Sequence, residues 1–301
     1  MSRQIVDLDT PQPDGERGDT PRLAFTKINE NFAELFLSVG SNMLINGDGR
    51  INQRVFGGGN HAASAFGYDN WFADTGGAAW AVNQSTGIIT HTSGTICQVI
   101  EAPRTAFSQT LCIAVGDLSG GNLTVSVGGA TGVITPGAGR RFVNIVAPTG
   151  STTGNLLVKI SATGSTYRDV SVVRGGDMPG FIPRPVGLEL ALSRRLFQKS
   201  YDIATPQASA VLNGCVTGVA GTANYIQGLT FPVTMRAAPA VGIYSSSGVA
   251  SQMTDITGAN PATGIAVQFI GQHGFLRCEG FNITVGTLYR YHYTADAGLT
   301  S

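Results

Sequence analysis

Hydrophobic positions along this chain follow two periods, and the change from one to the other is abrupt. Over residues 21–40, Phe25, Ile28, Phe32, Leu35 and Val39 recur at alternating three- and four-residue steps, which aligns them in one seam of a helix. Thr20 offers a capping hydroxyl, Pro21 has the φ of a first helical residue, and Gly40 suits a left-handed stop. Such a helix, about 28 Å long, cannot bury its own seam. The pattern therefore predicts an oligomerising helix covered by copies of itself or by another protein, with docking across a β-domain of its own chain as the alternative.

Beyond residue 41 the period drops to two. Residues 42–54 read as a short apolar strand, a Gly-Asp-Gly turn and an alternating strand. Apolar alternation recurs at 88–91, 96–100, 110–115, 123–127, 142–146 and 156–160, separated by turns rich in Gly, Ser and Thr, as in an antiparallel sandwich or jelly roll spanning residues 41–178. Pro179, Pro183 and Pro185 open a linker over 179–201, followed by a short helix with Leu188, Leu192 and Leu196 on one face. Residues 202–301 return to strands, for example 210–212, 229–233, 241–244, 264–270 and 288–293, and predict a second β-sandwich. Residues 1–20, rich in Asp, Pro and Gly, lack apolar groups for a core and are expected to be a flexible attachment tail. The fold class is thus mainly β: an extended tail and a helix, then two antiparallel β-sandwiches joined by a linker helix.

Composition supports this. Of 301 residues 42% are hydrophobic and only 13% charged, with 41 Gly and 13 Pro, the balance of a turn-rich β-protein. Nineteen basic residues offset 19 acidic ones and no more than two basic residues adjoin anywhere, which disfavours a nucleic-acid backbone or an anionic membrane as partner. The first residues lack the apolar core of a signal peptide and no membrane-length apolar run follows, so synthesis in a cytoplasm is expected. Cys97, Cys112, Cys215 and Cys278 have no metal or redox spacing and are expected to be buried free thiols.

Several stretches together resemble a known family. Asn42-Met43-Leu44-Ile45-Asn46-Gly47-Asp48-Gly49-Arg50-Ile51-Asn52-Gln53-Arg54, Gly67-Tyr68-Asp69-Asn70-Trp71-Phe72, the linker Phe181-Ile182-Pro183-Arg184-Pro185-Val186-Gly187-Leu188-Glu189 and the closing Tyr291-His292-Tyr293-Thr294-Ala295-Asp296-Ala297 look like tail-fibre and related tail proteins of tailed bacteriophages and prophages. The helix beginning at Leu23 is similar to the start of many phage virion proteins. The resemblance implies a structural virion protein, commonly a homotrimer. It would attach to other tail or baseplate proteins through residues 1–40 and turn its β-domains to a host receptor. A connector or collar fibre without receptor binding is the competing class.

Catalytic chemistry is sparse. Asp69 and Asp74 flank Trp71 and Asp48 sits in a turn, but a glycan-cleaving site needs two carboxyl groups set across a groove. His61, His91, His273 and His292 stand apart, and neither a nucleophile elbow nor a phosphate-cradling loop occurs. Neither an enzyme nor a cofactor or metal is expected. For receptor or glycan contact the candidates are Tyr68 and Trp80 in the first β-domain, with Trp71 read as core, and Tyr244, Ser246 and His273 in loops of the second.

Overall fold

The computed structural model describes residues 5–11, 13, 15, 17–29, 42–150, 154–176, 178, 180–258 and 260–300. It is mainly β, with two antiparallel sheets and two helices.

The first sheet comprises β1 (Gly59–His61), β2 (Phe72–Asn83), β3 (Ile88–Ile100), β4 (Thr110–Gly120), β5 (Leu123–Val127), β6 (Ala130–Ile134), β7 (Gly137–Val146), β8 (Leu156–Ser161) and β9 (Ser165–Arg174). Its organiser is β3, which pairs with β2 along one edge. Along the other edge its first half pairs with β9, Ile89 opposite Tyr167, and its second half with β8, Ile96 opposite Ile160. Two strips, β8–β5–β6 and β9–β4–β7, therefore diverge from one strand. Their outer strands meet again: a Cβ on Gly132 of β6 would stand 2.9 Å from the Val143 side chain of β7, so the sheet nearly closes on itself. The sequence pattern suggests two strands at 88–91 and 96–100; the structure joins them across Gly94, whose φ of 82° kinks the strand where it passes from one strip to the other.

The second sheet holds β10 (Phe197–Lys199), β11 (Val216–Val219), β12 (Tyr225–Gln227), β13 (Ala240–Ser245), β14 (Gln252–Asp255), β15 (Pro261–Gly271), β16 (Gly274–Phe281) and β17 (Leu288–Asp296). Here β17 is central, with β10 and β11 on one edge and β13 and β14 on the other. The path runs on from β14 through β15 and β16 to β12 and curls until Gly218 of β11 faces Ile226 of β12. Each sheet encloses its own core, the first around Trp71, Trp80, Ile96 and Leu111, the second around Ile226, Met253, Tyr289 and Tyr291.

Several expectations are corrected. Residues 42–54 form no strand, although most of them are buried. Side-chain amides take the place of the sheet ladder: Gln98 pairs with both the N–H and the C=O of Ile45, and Asn46 does the same for Ile51 at 2.8 and 2.7 Å. Residues 210–212 and 229–233 are not strands either. Helix α2, Val186–Arg194, is shorter than expected and buries Glu189 and Ser193, while Leu188 faces solvent. Within the linker, β10 belongs to the second sheet. Of the segment expected to be an attachment tail, the described residues make two backbone bonds: Gly18 N–H donates to Thr10 O at 2.8 Å, and Asp19 N–H to Asp7 O at 2.8 Å.

Helix α1 is described over residues 21–29, starting at Pro21, with the Thr20 hydroxyl accepting from Leu23 N–H at 3.4 Å. Phe25 is 65% exposed and Ile28 half-buried; Phe32, Leu35 and Val39 lie outside the described residues.

The stretches that carry the tail-protein resemblance converge on one junction between the two sheets. Arg54 forms a bidentate pair with Asp296, at 2.8 and 3.1 Å, with its guanidinium against the Phe66 and Phe197 rings. Gln53 Nε2 donates to Asp69 Oδ2 at 2.6 Å and to Phe197 O at 2.8 Å. Arg184 binds the Glu189 carboxylate and the Leu44 and Asn42 carbonyls, while Glu189 also accepts from Asn46 N–H. Asn70 donates to Ser193 Oγ at 3.2 Å. Buried Asp69 has its pKa raised, because desolvation outweighs the amide bonds it accepts.

Candidate functional site

The structure separates the sequence candidates. Tyr68 and Trp80 are each 2% exposed, so neither presents a ring face to a ligand. The Tyr68 hydroxyl accepts from Val82 N–H at 2.8 Å, and its ring meets Trp80 edge-on with centroids 4.9 Å apart. Trp71 is core as expected, its indole N–H donating to Asn46 O at 2.9 Å. Tyr244 is half-buried on β13 against Tyr201; Ser246, just beyond that strand, has its hydroxyl 2.7 Å from that of Thr254. His273 is exposed at the β15–β16 turn, 3.2 Å from the Thr234 hydroxyl. Among the described residues no hydrogen bond or ring contact joins these three places.

A different surface stands out on the outer side of β12, β16 and β15. Phe269 is 66% and Phe281 73% exposed. The Arg277 guanidinium lies 5.2 Å from the Phe269 ring centroid and 5.6 Å from that of Tyr225, and its Nε lies 2.5 Å from Glu279 Oε1. Register explains the alignment, since Tyr225 lies opposite Glu279, and Arg277 lies opposite both Gln227 and Gln268. The result is a shelf of ring faces flanked by a guanidinium, a carboxylate and two amides.

Phe269 reaches this shelf by a break in the strand. Simple alternation puts Ile265, Val267 and Phe269 on one inward face, but Phe269 has a φ of 57°, and the next residue, Ile270, packs against the core in its stead. A bulky residue is rarely held there, at a cost of roughly 1–2 kcal/mol. Sequence alternation misses this switch because it assumes an unbroken pleat.

Beside the shelf, residues Leu229 and Thr230 wall two depressions. One, of about 420 Å³, runs under His273 and Leu276. The other is an open cleft of about 680 Å³ at the end of α2, lined among others by Arg194, Lys199, Asp202, Leu229, Pro232 and Tyr293. Lys199 is 7% exposed and donates to the Ile203 and Thr205 carbonyls at 3.0 and 2.5 Å; burial pulls its pKa down to about 8. Arg194, Lys199, Tyr225, Phe269, Arg277, Glu279 and Phe281 all escaped the sequence reading, since only tertiary closure brings them together.

One cluster has the make-up of a nucleophilic dyad. Cys215 Sγ lies 3.1 Å from His292 Nε2, and His292 Nδ1 lies 2.9 Å from Ser200 Oγ. Hydrogen bonding fixes the proton elsewhere. Nε2 also faces the Val211 carbonyl, a pure acceptor, at 3.1 Å, so Nε2 carries the proton and cannot take one from the thiol. The Ser200 hydroxyl accepts from Tyr293 N–H at 3.0 Å and donates to Nδ1. Desolvation raises the Cys215 pKa and lowers that of His292, which keeps both neutral. None of the four cysteines is in a disulfide; Cys97 and Cys278 are pushed up to about 12 by burial, and Cys215 is only half-buried.

No grouping of three or more His, Cys, Asp or Glu suited to a metal occurs among the described residues, and no helix among them is long and apolar enough to cross a membrane. The sequence matches no family model and no curated protein.

Proposed function

We propose that this chain is a non-enzymatic structural protein of a bacteriophage tail, of the fibre type. In this reading residues 1–40 attach it to other tail or baseplate proteins, the helix over 21–40 makes it a trimer, and the second of two jelly-roll-like β-domains meets a host-surface glycan through the Tyr225, Phe269 and Phe281 shelf. The observation that carries the reading is Phe269. Its φ of 57° costs stability and yields an exposed ring, which is the pattern of a residue retained for contact with something outside the chain. Flat ring faces beside a guanidinium, a carboxylate and amides suit a sugar, which has apolar C–H faces and polar edges. Trimerisation would multiply weak contacts, so millimolar affinity at one site is adequate.

The test replaces Phe269 and Phe281 together by Ser in the full chain. Thermal melting should be unchanged, and binding to a glycan array or to host cells should fall about tenfold, from roughly 0.5–1.5 kcal/mol per lost ring contact. Undiminished binding removes the shelf from recognition. Binding to another tail protein with none to glycans or cells favours the connector class.

A further inference from the structure

We propose that the cleft at the end of α2 holds the carboxylate of an acidic sugar, with Arg194 and Lys199 as its cationic contacts. This rests on the reading of the second β-domain as glycan-facing and narrows the ligand to a charged class.

Charge is the first argument. Arg194 lines the cleft beside Tyr293, on which its charge acts, and among the described residues its guanidinium has no ion pair or hydrogen bond. A guanidinium at a surface usually finds a carboxylate, and here the acid that lines the cleft with it is Asp202. Lys199 adds a second cation from the floor. Its ammonium has three protons and two go to the Ile203 and Thr205 carbonyls, which leaves one to donate. With two cations against one acid, the lining has an excess of positive charge in a partly desolvated place, where a charge-assisted hydrogen bond is stronger than in open solvent.

Shape and polarity narrow the ligand further. Leu229 and Pro232 supply apolar wall, Tyr293 and Thr230 supply hydroxyls, and about 680 Å³ lies within the range of small-ligand sites. A bare inorganic anion would use the cations and leave the apolar wall idle. A neutral sugar would use the wall and leave Arg194 unpaired. A hexuronate, an apolar-faced ring that carries one carboxylate, uses both. The cleft also shares Leu229 and Thr230 with the depression under His273, so an acidic unit bound here can continue toward the shelf as part of a longer saccharide.

Titrating the full chain with sodium glucuronate, with glucose and with inorganic phosphate, followed by ligand-observed NMR, tests this. Glucuronate should bind in the millimolar range and the other two at least about tenfold more weakly. Arg194→Gln, which breaks no side-chain hydrogen bond or ion pair among the described residues, should keep the melting temperature within a few degrees and lower glucuronate affinity about tenfold. The double variant F269S/F281S should keep the preference for the free acid, because the shelf lies outside the cleft. Equal binding of glucose and glucuronate, phosphate binding as tight as glucuronate, or an unaffected Arg194→Gln variant each overturns the inference. In the first and third cases neutral glycans can still bind the shelf, so the broader reading survives; absence of any saccharide binding ends both.

Discussion

The junction between the sheets and the outer face of β12–β16–β15 depart from the usual distribution of polarity in opposite directions. At the junction Asn46, Gln53, Asp69, Asn70, Glu189 and Ser193 are buried and bonded to one another or to backbone. On the outer face Phe269 and Phe281 are turned to solvent. The bonds the buried groups make fix how 42–54, α2 and the two sheets meet, with Asn70 Oδ1 and Arg54 Nε left without a hydrogen-bond partner among the described residues. Exposed rings do the reverse. They give up burial energy in the isolated chain and keep it available for a partner. Stability effects should therefore concentrate at the junction and binding effects at the face.

The sharpest way to break that contrast is Glu189→Ala. It leaves the Asn46 backbone N–H without its acceptor and the Arg184 guanidinium with only the Leu44 and Asn42 carbonyls, and should cost about 3 kcal/mol in urea unfolding. Glu189→Gln, which keeps an acceptor, should cost about half as much. A loss below about 1 kcal/mol for the Ala variant would mean that the junction is not where stability is concentrated.

A comparable loss should come from acid alone, away from the junction. His91 lies in the first core 3.0 Å from the Tyr167 hydroxyl, and burial depresses its pKa from 6.5 to about 4. As pH falls below 6.5 the unfolded chain takes up a proton that the native state refuses, so stability declines between pH 6.5 and about 4 and this contribution then levels off. The whole window amounts to about 3 kcal/mol, and His91→Gln should flatten it. An unchanged acid slope in that variant would assign the loss to other groups.

The smallest effect belongs to the outer face and has the opposite sign. Phe269→Asn should stabilise by about 0.5 kcal/mol, because relief of the left-handed backbone exceeds the lost Arg277 contact. A destabilised variant would show that the ring is part of the fold.

Where side chains merely alternate, sequence suffices: 123–127 is read as a strand and is β5 over that same range. It fails where side chains replace backbone as hydrogen-bond partners. Residues 42–54 alternate like a hairpin, yet the backbone of Ile45 pairs with the Gln98 side chain 53 positions away and that of Ile51 with Asn46, while the Asn42 carboxamide accepts from Val172 N–H, 130 positions away. The leucine spacing of α2 suggested an apolar inner face, and only Arg184 and Asn46, brought in by the junction, make Glu189 the residue that faces in. For the candidate site, His273 was legible as a loop residue beside one depression. Tyr68 and Trp80, read as contact residues, are instead core, because the near-closure of the first sheet wraps both. Nothing local marks Phe269, since its neighbours on both sides are ordinary strand residues.

Strand β17 also sets a schedule. Every strand of the first sheet lies within residues 59–174, so that sheet can close while later residues are still on the ribosome. The second cannot. β10, β11, β13 and β14 all pair with β17, which leaves the ribosome after each of them. At the usual 5–20 residues per second, roughly ten seconds separate emergence of β10 from that of its partner. During that interval Phe197, Tyr201 and Ile243 have no core to enter, and the Arg54 side chain waits for Asp296. Newly made chains are thus half-folded and adhesive for seconds, and the yield of native protein in the cell should depend on translation speed and chaperone supply over residues 197–296.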